Sequence, residues 1–85
     1  MKHYVVVNLW KSDYLNKNKS EYVNICGITH SLEGAKKIFA KELIKEIEFA
    51  KENNWVIDTD TDTYFVSYLH CEYDDNHSIL CIAEE

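Results

Sequence analysis

From residue 32 to residue 50 the apolar side chains Leu32, Ala35, Phe39, Leu43, Ile47 and Ala50 recur at three- and four-residue intervals. That spacing aligns them along one side of an α-helix, so the chain contains a helix with one apolar stripe and one polar face. Lys37, Lys41, Lys45, Glu48 and Glu52 occupy the opposite face. Ser31 is placed to cap the first turn, Glu33 puts negative charge at the positive end of the helix dipole, and Asn53-Asn54 supplies a stop. The spacing therefore predicts a helix over 32–53, and a lone amphipathic helix needs another surface to bury its stripe.

The rest of the chain supplies that surface as β-strands. Residues 3–10 and 21–28 alternate around β-branched and aromatic side chains, with a polar loop over 11–20 containing Asn16 and Lys17. Residues 64–73 and 77–83 read as a second strand pair around an Asp74-Asp75-Asn76 turn, and residues 55–57 as a possible extra strand. The fold class expected is α+β: an antiparallel sheet of four to five strands in ββαββ order, with the helix packed on one face. Eighty-five residues without Pro suffice for one core, so residues 1–85 are expected to form a single domain.

One helix covers one face of a sheet. If Val5, Val7, Leu9, Val23, Ile25, Phe65, Leu69 and Cys71 point toward it, alternation sends Tyr4, Val6, Asn8, Trp10, Tyr22, Asn24, Tyr64, Val66, Tyr68 and His70 to the other side. An uncovered face rich in Tyr with a Trp is suited to contact with another molecule, which makes Trp10, Tyr64, Tyr68 and His70 candidate partner-binding residues.

Charge adds direction to that expectation. Residues 1–41 carry seven lysines against three acids, a net +4, whereas the remainder carries two lysines against twelve acids, a net −10, for −6 in total. The acidic half repels a phosphate backbone and attracts a basic protein surface, with Asp58, Asp60 and Asp62 as its densest cluster. No stretch approaches the ~18 apolar residues of a membrane span. Without a secretion signal, the odd set Cys26, Cys71 and Cys81 fits reduced thiols in the cytoplasm better than a disulfide framework.

Three chemical constellations fall short of a working site. The spacing of Asp58, Asp60 and Asp62 opens a calcium loop, but Thr63 stands where that loop needs Gly and Leu69 where it needs Glu; an acidic turn accounts for the triplet better. Cys26-x3-His30, His70-Cys71 and His77-x3-Cys81 contain enough zinc ligands, yet lack the paired-cysteine knuckle. Cys26 with His30, or Cys71 with His77, could pair a nucleophile with a base, but no strained nucleophile turn accompanies either. The sequence therefore points to no enzyme activity, no metal and no cofactor.

With no Arg, no Pro, abundant Lys, Asn and Ile, and an acidic second half, the chain resembles small acidic proteins encoded by bacteriophages of AT-rich bacteria. Inhibitors of host defence of the anti-CRISPR type belong to that group. The resemblance is one of composition along the whole chain, and it carries over no functional residue. It implies a non-enzymatic binder that inhibits or regulates a partner protein by occupying its basic surface. The competing expectation is a small-molecule, nucleotide-like ligand bound by a homo-oligomer, with a homodimer enclosing the ligand between aromatic faces.

Overall fold

A computed structural model describes residues 2–14, 18–70 and 74–84. The chain runs β1 (Tyr4–Tyr14), β2 (Asn18–Thr29), α1 (Leu32–Glu52), β3 (Val56–Asp60), β4 (Tyr64–His70) and β5 (Asp74–Glu84). The five strands form one antiparallel sheet in the spatial order β2-β1-β5-β4-β3. The α+β class and the single packed helix are as expected. The order is ββαβββ, not ββαββ, because residues 56–60 complete a fifth strand that takes in Asp58 and Asp60.

Strand ends also move outward from the sequence expectation. β1 and β2 continue through most of the polar loop, and β5 begins at Asp74, inside the expected turn. Long antiparallel pairing explains this: each strand in turn gives the next one backbone partners, so polar residues join the ladder without needing burial. Asn16, Lys17, Cys71 and Tyr73 lie outside the described residues.

Helix α1 begins where Ser31 Oγ accepts from the Gly34 amide at 3.0 Å. It ends in a Schellman arrangement: the Trp55 amide donates to the Ala50 carbonyl at 2.8 Å while Asn54 adopts a left-handed φ of 60°. Asn53 reinforces this end through its side-chain amide, 2.9 Å from the Phe49 carbonyl. The helix connects one sheet edge, β2, to the other, β3, and touches all five strands on the way.

The core lies between α1 and one face of the sheet. Val6, Ala35, Phe39, Phe65 and Leu80 are fully buried there, with Tyr4, Cys26, Ile38, Leu43, Ile47 and Ile82 packed around them. A bulge between Val6 and Val7 in the β1–β2 register places both Cys26 and Gly27 toward the helix. At Gly27 a Cβ would stand 2.8 Å from Ile38 Cδ1, so the absent side chain is what lets β2 approach α1.

This register corrects the face assignment for β1 and β2. Val6 is in the core, so alternation and strand pairing put Tyr4, Asn8, Trp10, Tyr22 and Asn24 on the helix side. Val5, Val7, Leu9, Val23 and Ile25 point away from it. For β4 the assignment stands: Phe65 is buried under the helix, and Tyr64, Val66, Tyr68 and His70 face the other way. Trp10 therefore does not share a face with Tyr64 and Tyr68. In residues 4–10 of β1 the odd positions are the more aliphatic set, so alternation alone points them at the core, and the register with β2 and β5 reverses that.

Candidate functional site

Two surfaces stand out, one on each side of the sheet. The uncovered face is the larger. β2 contributes Val23, Ile25 and Ile28, each 59–60% exposed, against Leu9, Val7 and Val5 of β1 in register. β5 continues the surface with Ile79 and Cys81, and β4 adds Tyr64, Val66 and Tyr68. Val56 of the edge strand pairs with Tyr68 and is also exposed. The face expected to be aromatic is thus mainly aliphatic, with its tyrosines confined to β4 among the described residues.

Its polar groups gather at one end. The Tyr68, His70 and His77 rings cluster there, with centroids 4.6 Å apart for Tyr68–His70 and 5.4 Å for His70–His77. Asp75 is the register partner of His70, and Lys11 stands opposite Glu21. At the other end His3 and His30 pack at 4.7 Å with their rings tilted by 54°, beyond the first pair of β1 and β2. Between these ends the centre of the face has no charged side chain among the described residues.

Asp60 and Asp62 of the acidic triplet do not lie on this face. Asp58 sits at a bulge in the edge strand β3, Asp60 is the register partner of the core residue Phe65, and Asp62 pairs with Lys36 of α1 at 3.2 Å. The turn itself is built by Thr61, whose amide donates to the Tyr64 carbonyl and whose hydroxyl oxygen accepts from the Thr63 and Tyr64 amides. Acids along a short edge strand also discourage another chain from adding to it.

The second surface is a cleft of about 350 Å³ beneath the C-terminal half of α1. The sheet supplies Asn8, Trp10 and Ser78; the helix supplies Glu42, Lys45, Glu46 and Phe49. Glu46 is its organising group. Asn8 Nδ2 donates to one carboxylate oxygen and Ser78 Oγ to the other, both at 3.0 Å. Burial raises the Glu46 pKa above the ordinary carboxylate range, Ser78 opposes that shift, and Glu42 adds to it. The nearby ammonium of Lys45 bonds to Glu42 at 3.4 Å, which leaves Glu46 without a cationic partner among the described residues.

The sequence reading missed this cleft, although it left a trace. Asn8 follows Val6, and Ser78 precedes Leu80, on the helix-facing side of their strands, and Glu46 falls between Leu43 and Ala50 at the spacing of the buried stripe. A carboxylate on an apolar stripe needs polar partners across the interface.

Of the cysteine and histidine constellations, those with Cys71 fall outside the described residues, and Cys26 with His30 and His77 with Cys81 come apart in the fold. Cys26 packs beneath the helix, where burial first, and Glu42 and Glu46 next, push its thiol pKa up, the reverse of an activated nucleophile. The ring of His30 packs on His3. His77 and Cys81 share a face but stand about 13 Å apart along β5 at ~3.3 Å per residue, too far to bind one ion. No group of three or more potential metal ligands is assembled among the described residues. Nor, among them, is any helix long and apolar enough to cross a membrane. Comparison with protein-family models, curated proteins and solved structures finds no match to this chain.

Proposed function

We propose that this chain is a non-enzymatic protein-binding domain, an acidic inhibitor or regulator whose open sheet face is its contact surface. The observation that carries the reading is the continuous aliphatic face opposite α1, with Val23, Ile25 and Ile28 largely exposed. Its size fits a protein better than a small ligand. Strands of 11, 12, 5, 7 and 11 residues, at ~3.3 Å per residue and ~4.8 Å apart, cover on the order of 700 Å², close to the ~800 Å² one partner contributes to a standard interface.

Aliphatic side chains at the centre, with tyrosines and charges toward the rim, match the anatomy of such interfaces. Tyr64, Tyr68 and His70 then act as contact residues on this face. Asp58, Asp60 and Asp62, at the neighbouring edge, attract a partner with basic groups around an apolar patch and raise the encounter rate. Trp10 is removed from this contact by its place on the helix side.

Native mass spectrometry of the protein purified from its own host tests the reading. Wild type should carry a stoichiometric protein partner. Val23→Glu with Ile25→Glu should lose that partner while keeping its melting temperature, because both sites are exposed. Asp58→Asn, Asp60→Asn and Asp62→Asn together should retain the partner but slow association at low salt. A partner retained by the Val23→Glu, Ile25→Glu variant contradicts the assignment. A small molecule retained in place of a protein would favour the ligand-binding homo-oligomer.

A further inference from the structure

We propose that the cleft beneath the C-terminal half of α1 is a binding site for a guanidinium group, with the Glu46 carboxylate as its counter-charge and Trp10 as its stacking wall. The site lies on the opposite side of the sheet from the face assigned to protein contact and does not depend on that assignment.

Two features of the cleft suit this ligand, a held carboxylate and an aromatic wall. Asn8 and Ser78 hold the Glu46 carboxylate by one hydrogen bond to each oxygen, which fixes its plane against the sheet. A carboxylate has about four acceptor positions, so two remain for a planar donor pair. A guanidinium presents two parallel N–H groups that match the two oxygens, which the single point charge of an ammonium does not. Trp10 is 37% exposed and lines the same cleft as Phe49, so it offers an aromatic surface for a flat cation.

Charge balance points the same way. Glu42, Lys45 and Glu46 give the lining two carboxylates and one ammonium, and that ammonium is already bonded to Glu42. The partly buried carboxylate of Glu46 thus has two neutral donors and no cation among the described residues. A guanidinium would complete the pair in a setting where water screens it incompletely. A cleft of about 350 Å³ is at the lower end of small-ligand sites, enough for the guanidinium and a short alkyl stem. That stem belongs either to a free guanidino compound or to an arginine side chain of another protein.

Titration of the full chain with n-butylguanidinium, followed by nuclear magnetic resonance of the Trp10 indole and Asn8 side-chain amide signals, tests the site. Saturable shifts of both signals are expected, with no saturable shift from the uncharged isostere n-butylurea. Glu46→Gln should weaken n-butylguanidinium at least tenfold, and Trp10→Leu several-fold. Equal response to n-butylurea, no saturable shift in wild type, or undiminished affinity in folded Glu46→Gln would each overturn the proposal. The urea comparison stands even if a variant fails to fold. Acetyl-Gly-Arg-Gly-amide separates the two sources: binding at least as tight as n-butylguanidinium identifies a protein arginine, and weaker binding a free guanidino compound.

Discussion

The two faces of the sheet both carry aliphatic side chains at their centre, yet the fold treats them oppositely. On one, α1 brings Ala35, Phe39 and Ala50 down to full burial, and the intruding polar side chains Asn8 and Ser78 both hydrogen-bond to Glu46. On the other, Val23, Ile25 and Ile28 meet solvent with more than half their surface. The difference separates stability from availability. Apolar area under the helix already contributes to folding, whereas apolar area left outside retains its favourable transfer free energy for association.

The largest expected contrast follows from that separation. Phe39→Ala should cost about 3–5 kcal/mol of stability as a buried aromatic truncation, and Ile25→Ala no more than about 0.5–1 kcal/mol. Denaturant unfolding of the two variants measures both. Comparable losses would mean that the open face is packed in the monomer after all.

The same contrast shows what could be read from sequence. The helix, its Ser31 cap and its Asn53-Asn54 stop were legible because period, cap and terminator agree within one segment. So was β4, where Phe65 and Tyr64 differ enough in polarity to mark their sides. β1 was not: its even positions hold Tyr4, Val6, Asn8 and Trp10, its odd positions Val5, Val7 and Leu9, and the more aliphatic set reads as the buried one. Its direction is fixed only by register with β2 and β5, including the bulge at Cys26 and Gly27. Long-range pairing of this kind has no local signature. The acidic triplet was legible as charge but not as place, since pairing with β4 draws Asp60 into an edge strand.

The cleft offers a smaller effect that sharpens the comparison. Folded Glu46 binds its proton more tightly than the unfolded chain does, chiefly because of burial. Its contribution to stability is therefore greatest below the ordinary carboxylate range and declines as pH rises through the raised value. Glu46→Gln should flatten that decline and be relatively more stable near pH 7 than near pH 4. Unfolding free energies across that interval give the slope, and an unchanged slope would show that Glu46 is solvated like a surface carboxylate.

Hydroxyl-radical footprinting bears most directly on the claim that the open face is the working surface. Side chains would be labelled first in the isolated protein and then in the complex recovered from its own host. Tyr64, Tyr68, Ile25 and Val23 should react in the isolated chain and become protected in the complex, while exposed Ile44 on α1 remains reactive in both. Protection of Ile44 with undiminished labelling of Tyr64, Tyr68, Ile25 and Val23 would contradict the account and move the binding surface to the helix.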